Sequence, residues 1–199
     1  MSDFVFRWIE QGGYLGVFAL MFLETIFPPI PSEVIMPLAG VIAARGEMSL
    51  PLVIASGTAG AMAGSMVWYA IAKALGYARF RPLVDRFGRW LTLDWPEVEK
   101  VHRLFDKHGA TIVFLGRMLP QVRSLVSIPA GLLKMPFLTF VIWSTIGSAI
   151  WTTGLTLAGW VLGNQFSEIE KVLGPLSLAV MASIVLYYFY RLATWRPAA

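Results

Sequence analysis

Four charged residues lie within or beside otherwise apolar stretches of this sequence: Glu24, Glu33, Arg117 and Arg123. A charge inside a bilayer costs about 3 kcal/mol on insertion scales, so such residues mark functional sites or tight ion pairs. Each pair brackets at least one proline, and a proline interrupts a helix and frees backbone amides that attract anions. Two arginines beside such a break suit a phosphate group, because a guanidinium binds phosphate oxygens in pairs.

The prolines that break the two stretches are Pro28, Pro29 and Pro31 in the first and Pro120 and Pro129 in the second. Within this setting the carboxyl groups of the glutamates suit proton exchange, because burial and a neighbouring arginine affect carboxyl protonation in opposite directions. A plainer interpretation uses the same residues. The glutamates would only neutralise the arginines and so hold the two stretches together.

The composition predicts an all-α, polytopic integral membrane protein. Hydrophobic residues make up 57% of the 199 residues and charged residues 14%, and the mean hydropathy is +0.66. Soluble domains carry about 25% charged residues, and a chain with so few charges needs a bilayer to cover its apolar faces. The net charge of +4 therefore informs topology, and no nucleic-acid motif accompanies it.

Several kinds of site are not expected. The chain has no cysteine, which excludes disulfides and thiolate chemistry. His102 and His108 lack acidic partners at ligand spacing, so neither a metal site nor a cofactor is predicted. The N-terminus lacks a basic region and a small-residue cleavage site, so we expect no removed signal peptide.

Apolar segment lengths predict hairpins as well as spans. Residues 14–27 and 33–44 are each too short to cross a bilayer, which takes about 20 residues, so they predict a re-entrant hairpin. A second broken segment covers 110–134. Residues long enough to span the bilayer are 50–76, 136–163 and the last span, 174–193.

The basic middle segment, 77–108, has the pattern of amphipathic interfacial helices, with apolar residues on one face and basic residues on the other. Asp94 and Glu97 resemble a capping box at a helix start, and Gly109 is expected to end a helix. By the positive-inside rule this segment and the tail with Arg191 and Arg196 lie on the cytoplasmic side.

An internal repeat is predicted within a single domain, 1–199. Gly60 and Gly147 align within two equally long segments, and the Ala-Gly pair that ends at Gly40 parallels the one that ends at Gly131. A hairpin returns to its own side and one crossing changes sides, so the repeats are predicted to be inverted, with a site near the midplane. Repeat 1 covers about 14–76 and repeat 2 about 109–163.

These stretches resemble the DedA family, whose domain is also called the SNARE-associated or VTT domain. The resemblance covers roughly residues 10–190 and is carried by FLETIFPPIPSEVIMPLAGVIAARG and FDKHGATIVFLGRMLPQVRSLVSIPAG. The motif Gly-Arg-x-x-Pro-x-x-Arg, from Gly116 to Arg123, is its most specific part. Some members have Gly-Asp after the final proline of a longer first break. The sequence Pro31-Ser32-Glu33 departs from that pattern and leaves the substrate open.

The resemblance implies a function and assigns residues to it. It implies two opposed re-entrant hairpins and a flippase for undecaprenyl phosphate in the bacterial inner membrane, with a part in envelope integrity and coupling to protons. Arg117 and Arg123 would bind the phosphate, and Glu24 and Glu33 would carry protons. Partners would be the polyprenyl phosphate, protons and membrane lipids, and a homo-oligomer is compatible with these features.

Three alternatives stay open at this stage. The same acids suit a proton-coupled exporter of small solutes or drugs. An integral-membrane lipid pyrophosphatase also uses Glu and Arg in re-entrant repeats, but no acid cluster for a divalent metal accompanies Ser124, so we expect no enzyme. A passive structural protein would tolerate neutralisation of all four charges together.

Overall fold

The computed structural model describes residues 2–27, 32–91, 95–119 and 122–162, with the single positions 186, 190–192 and 194. Its regular elements within these ranges are α-helices, which agrees with the all-α prediction. They are α1 (Ser2–Ile26), α2 (Ser32–Ala44), α3 (Leu50–Leu91), α4 (Trp95–Arg117), α5 (Ser127–Leu132) and α6 (Phe137–Leu162). The predicted breaks at Pro28, Pro29, Pro31 and Pro120 lie outside the described residues, as does most of the last span, 174–193.

Two of the described helices are long and apolar enough to cross a membrane. They are the first part of α3, Leu50–Pro82, and α6, Phe137–Val161, which correspond to the predicted spans 50–76 and 136–163. The apolar helix α2 has only 13 residues, fewer than a crossing needs. Large apolar side chains of α6, including Leu138, Ile142 and Ile150, are exposed, as expected of a surface that lipid covers.

Kinks divide three of the helices near the predicted boundaries. Gly76 (φ 72°) bends α3 where the first repeat was predicted to end, and Gly13 (φ 55°) separates the start of α1 from its apolar part. The predicted helix end at Gly109 also lies at a kink, because His108, directly before it, has a non-helical backbone (φ −136°, ψ 25°). An apolar run follows the glycine, and the second part of α4 continues to Arg117.

The short helices cross over to pack on distant elements. The helix α1 packs on α3 and α4 packs on α6, whereas α2 packs on α6 and α5 packs on α3. Glycine permits both crossings. A Cβ atom at Gly40 would lie 2.2 Å from the carbonyl oxygen of Thr156, and one at Gly131 would lie 2.2 Å from that of Tyr69. Tyr69 and Thr156 are the same number of residues apart in the sequence as the aligned glycines Gly60 and Gly147, so they occupy equivalent positions of the two repeats.

Two apolar clusters flank the middle of the bundle. One is formed mainly by α1, α2 and the first part of α3, where Ala61 belongs to it. The other surrounds Tyr69 and Phe140, whose rings stack with centroids 4.5 Å apart. Ser65 lies on α3 between these two clusters and is fully buried. The charged residues of the candidate site gather around it.

Candidate functional site

A buried ion pair joins the two broken segments. Arg123 Nη2 donates to Glu24 Oε1. Glu24 is 5% exposed and Arg123 7% exposed. Glu24 comes from the last turns of α1, and Arg123 comes from the turn between α4 and α5. Because both charges are removed from solvent, each is the other's main electrostatic partner in the described part of the chain.

Arg117 is buried without a carboxylate partner among the described residues. Its Nη1 donates to Ser65 Oγ at 2.7 Å, and its Nη2 donates to Ser127 Oγ at 2.8 Å. Nε and Nη2 reach Ser144 Oγ at 3.3 and 3.2 Å. Three neutral hydroxyl groups from α3, α5 and α6 therefore hold one guanidinium, which also lies 5.7 Å from the centroid of the Phe140 ring.

Arg117 also binds the backbone that carries Arg123. Its Nη1 donates to the carbonyl oxygen of Arg123 at 2.6 Å. The amide of Arg123 in turn donates to the carbonyl oxygen of Leu119 at 3.0 Å. These contacts fix the turn after α4, so Arg117 orients Arg123. The nitrogens of Arg117 themselves donate to acceptors of the protein.

Small residues make room for this arrangement. A Cβ atom at Gly147 would lie 2.7 Å from Arg117 Cβ, so only glycine lets α6 approach the arginine this closely. Ser65 Oγ donates its hydrogen to the carbonyl oxygen of Ala61 at 2.7 Å. Its lone pairs are thereby left to accept from Arg117. The pattern of glycine and serine along α3 and α6 thus creates a polar socket inside apolar helices.

Glu33 lies in the first turn of α2 and is partly exposed. It has no hydrogen bond or ion pair with any residue that the structure describes, although its charge acts on Glu24 electrostatically. The two-pair lock, in which both glutamates neutralise both arginines, is therefore not the arrangement found. Pro129, the one predicted break residue within the described ranges, lies inside α5 and accepts from the amide of Leu133 at 2.9 Å.

The serines of the socket were not found by sequence reasoning. The sequence analysis gave no functional role to Ser65, Ser127 or Ser144. A serine in an apolar helix usually bonds the carbonyl four residues before it, so its type alone gives no signal. The usable signal is their spacing from glycine, since Ser144 precedes Gly147 by one turn.

The described residues contain no group of three or more His, Asp or Glu side chains placed to hold a metal ion. His102 lies 3.6 Å from Asp106 on the same helix, away from the charged cluster. The chemistry available at the cluster is ionic. Arg123 holds an anion, and its present anion, the carboxylate of Glu24, can accept a proton.

The sequence profile of the VTT domain matches residues 30–161, a range that contains Glu33, Arg117 and Arg123. Glu24 lies just before it. No solved structure matches the chain significantly.

Three bacterial relatives are similar over nearly the whole chain. A protein of Lactococcus lactis subsp. cremoris named alkaline phosphatase-like protein is 35% identical over 92% of this chain and 86% of its own length. A Staphylococcus aureus protein named undecaprenyl phosphate transporter A is 30% identical over 96% and 94%. The uncharacterized membrane protein YkoX of Bacillus subtilis is 32% identical over 94% and 84%.

Proposed function

We propose, from the premise that this chain belongs to the VTT-domain family, also called the DedA family, that it translocates undecaprenyl phosphate across the bacterial inner membrane. At the level of its family it is a membrane protein, and a relative named for transport of this lipid is similar over nearly all of it. The observation that carries the proposal is the buried pair of Glu24 and Arg123, because it provides an anion site between two broken apolar segments.

Arg123 is the phosphate ligand in this proposal, and Arg117 positions it. The guanidinium of Arg117 donates hydrogen bonds to three serines and to the carbonyl oxygen of Arg123. Among the described residues Arg123 has one anionic partner, Glu24, which a phosphate can replace while Arg117 keeps its contacts with the serines. Exchange of one anion for another keeps the buried guanidinium paired throughout, which avoids the cost of an isolated charge in the bilayer.

Protons enter through Glu24. While its carboxylate pairs with Arg123, a phosphate must compete with it for the same guanidinium. A proton on Glu24 removes that competitor, so protonation and phosphate binding are linked, and each favours the other. Glu33, which is partly exposed and acts electrostatically on Glu24, is the proposed relay between water and the buried carboxyl group.

The proposed fold is an inverted repeat of re-entrant hairpins around this site. The exchange of short helices supports it, since α2 packs on α6 as α5 packs on α3. The close contacts of Gly40 with Thr156 and of Gly131 with Tyr69 occur at aligned positions. Broken helices that meet at the midplane are the usual substrate sites of transporters built from inverted repeats. The head group would pass along them while the polyprenyl tail stays in lipid.

The proposal describes a transporter and not an enzyme. The Lactococcus relative is named for a phosphatase, so phosphate release is the necessary control. Binding of undecaprenyl phosphate to the purified protein and release of inorganic phosphate from it should be measured together. We expect binding in the wild type, a loss of at least about tenfold in Arg123→Gln, and no release.

Arg103→Gln is the matched control, because Arg103 is an exposed arginine on α4. It should bind the lipid as the wild type does. Binding that survives Arg123→Gln would remove the phosphate site, and release of inorganic phosphate that depends on Arg123 would replace transport with hydrolysis.

A further inference from the structure

A second cationic region lies away from the Arg117 and Arg123 cluster. A cavity of about 430 Å³ is formed where α4 kinks and where the chain turns from α5 into α6, and Lys107, His108 and Lys134 are among the residues that line it. Thr111 and Thr139, which also line it, add hydroxyl groups. The mechanism proposed for the buried ion pair does not use any of these residues.

Lys134 adopts a backbone conformation that a lysine rarely occupies. Its φ is +55°, and it is the only described residue other than glycine with a positive φ. The amide of Met135 donates to the carbonyl of Ala130, and that of Lys134 donates to Gly131, both at 3.0 Å. This pattern is the Schellman ending of a helix, in which glycine usually takes the left-handed position.

The corresponding turn from α2 into α3 has a glycine in the left-handed conformation, Gly46 (φ 80°). Strain at a residue that glycine would relieve points to a use for its side chain. The turn is also held in place, because the hydroxyl of Tyr69 donates to the carbonyl oxygen of Met135 at 2.5 Å. The lysine is thus presented at a fixed point of the cavity.

The charges of the cavity favour an anion. Two lysines line it against one carboxylate, Asp106, which lies 3.6 Å from His102 Nε2. The residues beside it indicate which kind of anion. Leu138 and Ile142, in the first and second turns of α6, are exposed apolar side chains, as is Leu115 on α4. A basic cavity next to exposed apolar side chains matches a lipid, whose phosphate lies at the interface over its acyl chains.

We propose that the cavity lined by Lys107, His108 and Lys134 binds the phosphate of an anionic lipid head group at the membrane surface, as a site separate from the buried arginines. The lysines attract the phosphate oxygens as point charges. A lipid head group and free inorganic phosphate both present phosphate oxygens, and the ligand proposed here is the membrane lipid. This inference does not rest on transport and can fail or hold independently of it.

The test is lipid binding to the full chain in neutral detergent, followed by native mass spectrometry. The probes are phosphatidylglycerol, phosphatidylcholine as the zwitterionic lipid, and inorganic phosphate. The variants are Lys134→Gly and the double variant Lys107→Gln with Lys134→Gln. Lys100→Gln is the matched control, because Lys100 is an exposed lysine of α4 that does not line the cavity.

We expect both cavity variants to lose phosphatidylglycerol binding at least about fivefold and Lys100→Gln to keep it. Lys134→Gly should keep or raise the melting temperature, since glycine relieves the left-handed strain, so its loss of binding cannot be attributed to unfolding. Unchanged phosphatidylglycerol binding in both variants would overturn the inference. So would an equal loss in Lys100→Gln, or binding of inorganic phosphate in place of the lipid.

Discussion

The two arginines of the motif have different surroundings and therefore different tasks. Arg117 has its nitrogens bound to three serine hydroxyls and to the carbonyl oxygen of Arg123, which a planar fork with five donors can do and an ammonium group cannot. Arg123 has an anion as its partner. Arg117 therefore stabilises the site, and Arg123 can exchange one anion for another.

Substitution by lysine separates these tasks. Arg117→Lys should lower the free energy of unfolding by about 2–3 kcal/mol, because one ammonium group cannot donate to three serine hydroxyls and the carbonyl oxygen of Arg123 together, which leaves buried acceptors unpaired. Arg123→Lys should cost less stability, since the charge beside Glu24 is kept, but it should lose most lipid-phosphate binding because the paired contact to phosphate oxygens is gone. Thermal unfolding and lipid binding of both variants check this. Equal effects of the two variants on both quantities would contradict the division of tasks.

Glu24→Gln tests the competition between carboxylate and phosphate. The variant loses the negative charge but keeps an oxygen that can accept from Arg123. We expect it to bind undecaprenyl phosphate at least as tightly as the wild type, because the competing anion is absent. We also expect wild-type binding to strengthen as the pH falls and protonates Glu24, by a larger factor than in the variant.

In Glu24→Gln, the pH dependence of lipid binding that remains comes from the lipid phosphate. The variant therefore serves as the control for the wild-type curve. Binding isotherms at neutral and mildly acidic pH give both curves. Weaker binding in Glu24→Gln together with a lower melting temperature would favour the interpretation that Glu24 only holds the segments together.

At the residue scale, the sequence predicted the charges but not their pairing. Glu24, Arg117 and Arg123 stand out because a charge in an apolar stretch is costly wherever it lies. Which glutamate meets which arginine depends on the turn after α4 and on how closely α6 approaches. Those distances are set by packing between residues far apart in sequence, which a pattern along the chain does not record.

Between elements, glycine determines which helices can touch. The second arms of the two broken segments, α2 and α5, approach the backbones of α6 and α3 so closely that a Cβ at Gly40 or Gly131 would lie 2.2 Å from a carbonyl oxygen. Such contacts are typical of membrane helices, which pack through small residues. They bring Ser127 of α5 to the guanidinium of Arg117.

Alanine at these glycines should loosen the packing of both arms. We expect Gly40→Ala and Gly131→Ala each to destabilise the protein by about 1–3 kcal/mol, the usual effect of an overpacked contact. Gly154→Ala is the control, because a Cβ there meets nothing within 4 Å and alanine favours the helix. Denaturant unfolding in detergent measures all three variants. Wild-type stability in the first two would mean that the close approach is not needed.

Element boundaries followed from the sequence where glycine or proline interrupts an apolar run, as at Gly76, where α3 bends. The kink at His108 likewise lies directly before Gly109, where a helix end was predicted, and the second part of α4 begins where apolar residues resume. The sequence did not predict that the histidine would carry the non-helical backbone, because nothing in its residue type marks a kink. Helix ends in this chain depend on what packs against them as much as on local propensity.

For the whole molecule, the two repeats are expected to have opposite orientations in the membrane. The absence of native cysteine allows single cysteines to be labelled from either side in an otherwise unchanged chain. We expect cysteines at Arg89 and Arg196 to react from the cytoplasm and those at Glu47 and Asn164 from the outside. If the cysteines introduced at Arg89 and at Asn164 react from the same side, the inverted arrangement is contradicted.

Transport in liposomes tests the central claim most directly. Protein is reconstituted with labelled undecaprenyl phosphate, and the sidedness of the label is followed with and without a pH gradient. We predict that the wild type moves the lipid, that a gradient accelerates the movement, and that Arg123→Gln abolishes it while Arg103→Gln does not. Equal movement in protein-free liposomes and in those containing the wild type, or full movement in Arg123→Gln, would contradict the account.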